Sequence, residues 1–238
     1  MDPVAIDDEI RQPPQRGRNI RKIARMTARV CLIAALAFGV YLLKPFYSQN
    51  IGIVDPGRVI RSAQPTSRVD DMIREYKLAS ILSLRGGSPN DSFYTNEVRA
   101  ADEAGVNFYD LPLSATRRPK RRELLLLIDL LNKCEYPLLI HCKSGADRAG
   151  LASAIYKLEI LGQPPERATE AFTLLHSHIP WFGPQHLHAP FHEYGAWLAQ
   201  EGLTHAPGRF RDWVKNNYKA DDPPKDPPPL AAGPRHRL

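Results

Sequence analysis

The chain contains few cysteines and no internal repeat. Cys31, Cys134 and Cys142 are its three cysteines among 238 residues, an odd and small number that does not suit a disulfide framework. The fold must therefore depend on an apolar core, and a hydrophobic content of 43% is sufficient for one. Cys134 is interpreted as a small buried apolar side chain, which leaves Cys142 as the cysteine with a chemical role.

The usual sequence signals of nucleic-acid binding and metal binding are also missing. The net charge is +6, but no aromatic residues interleave the basic clusters, so no nucleic-acid partner is expected. The chain carries five histidines in a short stretch: His176, His178, His186, His188 and His192. No cysteine or carboxylate completes a familiar ligand spacing with them. We therefore predict no metal and no other cofactor, and we interpret the histidines as a polar region near the mouth of a pocket.

Positive charge is concentrated at the N-terminus, beside an uncharged apolar run. Residues 1–29 form a basic arm with seven Lys and Arg, and residues 30–43 (VCLIAALAFGVYLL) carry no charge. Fourteen residues are fewer than the ~20 that a perpendicular transmembrane helix needs. We interpret residues 30–47 as a membrane anchor. A cleaved signal peptide and a soluble protein with a buried helix remain as alternatives.

The charge flanking the apolar run predicts its orientation. Segments rich in Lys and Arg beside a membrane helix stay on its cytoplasmic side. In a bacterial cell this places the N-terminus in the cytoplasm and the following domain outside it. A cytoplasm-facing or secreted domain remains the alternative. Outside the cytoplasm, Cys142 would have to stay reduced in an oxidising compartment.

Residues 48–220 alternate between predicted strands and helices. Short apolar runs at residues 79–84, 106–113 and 136–140 predict buried strands, and amphipathic stretches between them predict helices. This alternation indicates an α/β domain with a mostly parallel central sheet flanked by helices. Further helices are expected at residues 165–176, 189–202 and 209–218. Residues 221–238 are rich in proline and are predicted to be a disordered tail.

One segment between an apolar strand and a helix has the composition of an anion site. It reads His141-Cys142-Lys143-Ser144-Gly145-Ala146-Asp147-Arg148. Loop N–H groups and the following helix N-terminus supply positive potential, which favours the thiolate of a cysteine. Arg148 offers a planar fork for two phosphate oxygens, and Gly145 permits a positive φ or a close backbone approach. Lys143, Ser144 and Ala146 would complete the substrate-binding loop.

This segment resembles the phosphate-binding loop of the protein tyrosine and dual-specificity phosphatases, most of all their compact bacterial members. Residues 60–65 (IRSAQP) and 111–115 (LPLSA) also resemble that group, and the resemblance covers roughly residues 52–200. It implies a dual-specificity-phosphatase-like fold, Cys142 as the nucleophile, Arg148 as the phosphate binder and His141 as a loop support. The implied substrates are phosphotyrosine or phosphoserine proteins, or lipid and inositol phosphates.

The sequence departs from the family pattern at two points. The residue after the arginine is usually Ser or Thr, whose hydroxyl assists the leaving thiolate, but here it is Ala149. The family also places a general-acid Asp on a loop about thirty residues before the cysteine, whereas residues 114–119 contain no carboxylate. Asp147 and Asp110 are the candidates, and the alternative is that neither of them is the general acid. Asp147 resembles the Asp-Arg pair of some phosphoinositide phosphatases.

Two other functions remain open at this point. The first is a membrane-tethered, catalytically impaired phosphatase that only binds phosphate groups, which Ala149 and the uncertain acid favour. The second is a rhodanese-like sulfurtransferase, because such domains also carry a cysteine loop at a strand-helix junction. The five-residue spacing from Cys142 to Arg148 and the preceding His141 argue against the sulfurtransferase.

Overall fold

A computed structural model describes residues 15–219, and the chain divides into two units between Leu43 and Lys44. Helix α1 (Gln15–Tyr47) has 33 residues and begins well before the uncharged run. Within it, Asn19–Tyr41 is long and apolar enough to cross a membrane. These 23 residues span ~35 Å at ~1.5 Å per residue, more than the ~30 Å hydrocarbon core. The helix is therefore longer than the fourteen-residue uncharged run, and a signal sequence near an N-terminus meets the same criteria of length and composition.

The second unit is built on a five-stranded sheet with the order β1-β2-β5-β3-β4. Its strands are β1 (Gly52–Asp55), β2 (Val59–Ser62), β3 (Ser80–Ser83), β4 (Asn107–Asp110) and β5 (Leu138–His141). Strand β1 is antiparallel to β2, and the other pairs are parallel. Strand β5 lies in the centre and is buried on both faces, which explains its unbroken apolar sequence.

Helices cover both faces of the sheet, as the alternating pattern predicted. They are α2 (Val69–Tyr76), α3 (Ser92–Glu103), α4 (Arg121–Lys133), α5 (Asp147–Glu159), α6 (Pro165–Ala168), α7 (Ala189–Gln200) and α8 (Arg209–Asn216). Helices α2 and α3 pack on one face through Met72 and Ala100. Helices α4, α5, α7 and α8 contribute Ile128, Leu151 and other buried side chains to the core on the opposite face.

The structure differs from the sequence-based expectation at two places. Strand β1 was not predicted, because Gly52 and Asp55 are poor strand formers. Pairing with β2 stabilises this strand. The single helix expected over residues 165–176 is divided into α6 and two 3₁₀ turns, Thr169–Ala171 and Leu174–His176. Phe172 is extended between the turns. Residues 1–14 of the basic arm and the predicted tail, residues 221–238, lie outside the described residues.

Candidate active site

The loop that carries Cys142 lies at the carboxyl edge of the parallel strands. Strand β5 ends at His141, Cys142 follows directly, and helix α5 begins at Asp147. This edge of an open α/β sheet is where ligands usually bind. Cys142 is only 1% exposed, so its thiol is enclosed by the loop and the core.

The carbonyl oxygens of loop residues 143–146 all accept hydrogen bonds from groups outside the loop. The donors are Gln64 N to Lys143 at 3.4 Å, Asn50 Nδ2 to Ser144 at 2.8 Å, and Arg61 Nη2 to Gly145 and Ala146 at 2.7 and 2.8 Å. In a trans peptide the C=O and N–H groups point in opposite directions. The N–H groups of residues 144–147 therefore face the other side, which forms a cradle for an anion.

The guanidinium group of Arg61 holds this loop in place. It is buried in strand β2 and also donates through Nη1 to the carbonyl oxygen of Ala171 at 2.6 Å. Burial lowers the pKa of Arg61 to about 10, against the opposing effect of negative charge on Cys142 and Asp147. Arg61 thus remains a cation near neutral pH. The IRSAQP segment was noted in the sequence, but the role of Arg61 was not. The signal that could have revealed it is a charged residue within an otherwise buried strand.

Gly145 is required by the shape of the loop. Its φ is +70°, and a Cβ at this position would lie 2.5 Å from the backbone nitrogen of Ala63. The glycine expected from the sequence therefore serves both a left-handed conformation and a close backbone approach.

Arg148 is oriented by the ends of two neighbouring segments. Its Nη1 donates to the carbonyl oxygens of Leu84 and Leu113 at 3.2 and 3.3 Å. Its Nε is buried and has no hydrogen-bond partner among the described residues. A buried guanidinium N–H of this kind is suited to an oxyanion held in the cradle.

Arg85 is a further cation near the loop, besides Arg61 and Arg148. In the sequence it marked only the end of a strand. Its guanidinium carbon lies 3.4 Å from the ring centre of Phe93, and Nη1 donates to Gln64 Oε1 at 3.4 Å. Burial and the nearby charge of Arg148 lower the pKa of Arg85, while Asp91, Glu97 and Cys142 act in the opposite direction. Arg85 and Arg148 therefore concentrate positive charge beside Cys142.

His141 is fixed by a buried carboxylate. Its Nε2 lies 2.8 Å from Glu97 Oε1 on helix α3, an ion-pair distance, and neither of these two atoms makes a hydrogen bond within the described residues. Glu97 also accepts from Gln64 Nε2 at 2.7 Å. This buried chain of polar groups joins helix α3 to the start of the loop, a contact that spacing in the sequence does not reveal.

The two candidate acids occupy different positions. Asp147 lies at the first residue of α5, and its side chain is 19% exposed. Asp110 is buried at the end of β4, where it pairs with Ser83 of the neighbouring strand β3. Because strand side chains alternate between faces, Asp110 shares a face with Phe108, which packs against α2 and α3. Cys142 belongs to the core cluster on the opposite face.

Part of the basic cluster at residues 117–122 is neutralised by ion pairs. Arg117 contacts Glu123 at 2.8 Å and Arg118 contacts Glu193 at 2.7 Å. Glu123 also accepts from the backbone nitrogen of Lys120, which caps helix α4. These ion pairs reduce the net positive charge that the cluster presents.

Comparison with known proteins decides the family. The family model described as "Swiss Army Knife protein, DSP-PTPase phosphatase domain" matches residues 48–180, more than half of the chain. The chain belongs to this family of dual-specificity and protein tyrosine phosphatases. It is therefore a phosphatase of the cysteine-dependent type, as the loop sequence indicated.

The chain is also similar to several solved phosphatase structures. TpbA from P. aeruginosa is 20% identical and has a TM-score of 0.45, with 61% of this chain and 92% of that chain covered. The catalytic core of the PP-IP phosphatase SIW14 from S. cerevisiae is 19% identical and has a TM-score of 0.48, with 65% and 93% covered. PTPMT1 in complex with PI(5)P is 20% identical and has a TM-score of 0.45, with 63% and 98% covered.

Proposed function

We propose that this phosphatase hydrolyses phosphomonoesters through a phosphocysteine intermediate formed on Cys142. The observation that carries the proposal is that the carbonyl oxygens of residues 143–146 all accept hydrogen bonds from groups outside the loop. The N–H groups of residues 144–147 therefore point the other way, into the loop that begins at Cys142. Arg148, whose buried Nε has no partner in the part of the chain that the structure describes, adds a planar donor at the same place.

The first chemical step transfers the phosphoryl group to the enzyme. The Cys142 thiolate attacks phosphorus, and the S–P bond forms as the bond to the leaving oxygen breaks. Arg148 and the N–H groups of the loop stabilise the charge on the equatorial oxygens. A carboxylic acid gives its proton to the leaving oxygen. Water then attacks phosphorus, the same carboxylate takes a proton from that water, and the S–P bond breaks to restore the thiolate and release phosphate.

We assign the acid role to Asp147 rather than Asp110. Asp147 follows the loop directly and is partly exposed. Like Cys142, it interacts electrostatically with the buried Arg61. Asp110 is buried on the sheet face that packs against α2 and α3. Parallel Asp147→Asn and Asp110→Asn variants test this assignment, and a loss confined to Asp110→Asn would reverse it.

The substrate class that we propose is a phosphorylated protein or a lipid or inositol phosphate. The cations Arg85 and Arg148 near the loop support an anionic substrate. The apolar helix α1 supports a membrane location for the protein. We further propose that α1 anchors the protein with its basic N-terminal side in the cytoplasm. Membrane fractionation and protease protection of the full chain test the anchor and its orientation.

Hydrolysis of p-nitrophenyl phosphate by the full-length protein in mild detergent tests the mechanism. We expect activity that vanadate inhibits, that EDTA does not affect, and that Cys142→Ser abolishes. Cys134→Ser is the matched control, because it changes a buried core thiol away from the loop. Mass spectrometry should detect phosphate on Cys142. Activity that survives Cys142→Ser would refute the proposed nucleophile.

A phosphate-binding protein without turnover is the second candidate, and Ala149 is the observation that favours it. Ala149 is buried in α5 and offers no hydroxyl where the family has one. Phosphate binding without release of nitrophenolate in a single turnover would support this alternative.

A further inference from the structure

A chain of three polar side chains extends from the phosphate-binding loop toward the surface. Asp147 Oδ1 lies 2.8 Å from Nδ1 of His178, and Nε2 of His178 lies 2.8 Å from Nε2 of His188. His178 is only 3% exposed, so its ring is almost completely enclosed. These histidines belong to the cluster that the sequence presented as a polar loop.

Aromatic packing holds the two imidazoles in place. The ring of Phe172 lies 4.9 Å from the His178 ring and 4.1 Å from the His188 ring, between ring centres. A Cβ on Gly150 would come within 2.9 Å of the Phe172 ring, so the glycine in the first turns of α5 makes room for this packing. The Asp147–His178 contact is therefore built by four separate segments of the chain.

The hydrogen bonds determine where the protons lie. Oδ1 of Asp147 can accept from Nδ1–H of His178 both when the carboxyl group is ionised and when Oδ2 carries a proton. The two facing Nε2 atoms share one proton. Burial, assisted by His178 and His192, lowers the pKa of His188 to about 4, so His188 is neutral near pH 7. One of the two Nε2 atoms therefore donates this proton and the other accepts it.

We propose that His178, supported from behind by His188, is a positioning residue for leaving-group protonation. It holds Oδ1 of Asp147 so that Oδ2 is the oxygen that delivers the proton to the leaving group. This inference depends on the proposed role of Asp147 as the general acid. A carboxyl group fixed at one oxygen loses less rotational freedom when it reaches the transition state, which is how positioning accelerates a reaction.

The dependence of the rate on the leaving group separates positioning from mere structural support. Phenyl phosphate and phosphoserine have poor leaving groups that need a proton, whereas the nitrophenolate of p-nitrophenyl phosphate leaves readily without one. A variant that is only damaged in structure should lose activity equally on all three substrates. A variant with a misplaced acid should lose most on the poor leaving groups.

The experiment compares kcat/KM of the full-length protein and its variants on these substrates. We expect His178→Phe, which keeps a ring but removes both nitrogens, to lose about tenfold on phenyl phosphate. This is less than the ~10²–10⁴-fold contribution of a general acid, because Asp147 itself is retained. The loss on p-nitrophenyl phosphate should be much smaller. His178→Asn retains a donor near the Nδ1 position and should recover much of the loss. His186→Phe is the matched control, because His186 is exposed on the same region and makes no contact with Asp147 in the described structure.

The outcomes distinguish this inference from the function on which it rests. If Asp147→Asn shows the selective loss but His178→Phe and His178→Asn behave like wild type, the positioning role is wrong and the acid assignment stands. If Asp147→Asn shows no selective loss, the acid assignment fails as well. An equal loss on all three substrates in His178→Phe, without recovery in His178→Asn, would show that His178 only supports the fold.

Discussion

Nη2 of Arg61 donates a hydrogen bond of 2.7 Å to the carbonyl oxygen of Gly145, although 84 positions separate the two residues in the chain. The bond joins the second strand of the sheet to the middle of the phosphate-binding loop. It fixes the direction of one loop peptide, and with it the direction of the N–H group of Ala146. Three predictions concern this loop, and a fourth concerns the histidines beside it.

Arg61→Lys should loosen the loop. A lysine has no planar fork and cannot serve the carbonyls of Gly145, Ala146 and Ala171 together. Leaving buried carbonyls unsatisfied should lower the free energy of unfolding by about 2–4 kcal/mol, and kcat/KM should fall at the same time. Thermal unfolding and steady-state kinetics measure both effects. Arg58→Lys is the control, since Arg58 stacks on Tyr136 away from the loop; equal effects in the two variants would contradict the prediction.

Gly145→Ala should nearly abolish activity. The added Cβ meets backbone atoms of Ser62 and Ala63, which cannot rotate away as a side chain could. Displacing the cradle by about 1 Å is expected to lower kcat by about 10²-fold. Gly57→Ala provides a matched control, because Gly57 also has a positive φ, of +74°, but its Cβ would meet nothing within 4 Å. That control should show only a modest loss of stability with normal turnover.

Ala149→Ser should accelerate hydrolysis of the phosphocysteine. The wild-type enzyme lacks the hydroxyl that assists the leaving thiolate, so we expect a rapid burst of nitrophenolate followed by slow turnover. Restoring the hydroxyl should raise the steady-state rate by about tenfold, the contribution of one hydrogen bond to a charged group. Ala152→Ser adds the same oxygen at another buried site of α5 and should have no such effect. Absence of a burst in rapid-mixing experiments on the wild type would contradict the prediction.

Acidification should destabilise the fold through His188. Burial lowers its pKa to about 4 in the folded protein, below the ordinary value of 6.5. Between these two values the unfolded chain binds a proton that the folded chain does not bind. Stability is therefore full above pH 6.5 and decreases as the pH falls toward 4.

The comparison of Tm at pH 7 and pH 4.5 in wild type and His188→Gln measures this contribution. Glutamine places an amide donor near the Nε2 position but does not titrate, so the decrease of Tm should be smaller in the variant. Carboxylates titrate in both proteins and cancel in the comparison. His186→Gln, at an exposed histidine, should retain the wild-type decrease; an unchanged pH dependence in His188→Gln would exclude His188 as its source.

The sequence predicted the architecture and the reactive loop because both depend on local patterns. An unbroken apolar run predicts a central buried strand, and β5 is one. Cys142, Gly145 and Arg148 were identified because the loop is contiguous in the chain. Their spacing is therefore visible without any tertiary structure.

Other features of the site were decided by segments that are distant in the chain. The alternation of strand side chains places Asp110 on the face that packs against α2 and α3, which spacing from Cys142 could not show. Similarly, five histidines in a short stretch suggested a polar region, but only folding brings His178 to Asp147 and His188 to His178.

The amino-acid sequence by itself determined that this chain forms an α/β phosphatase domain with a cysteine loop, because periodicity and a contiguous motif carry that information. Tertiary structure alone decided which groups support the loop. Arg61, Asn50 and Glu97 come from a strand, a turn and a helix that are far apart in sequence. Buried polar groups must find partners wherever the packing places them, and no local pattern in the sequence records that choice.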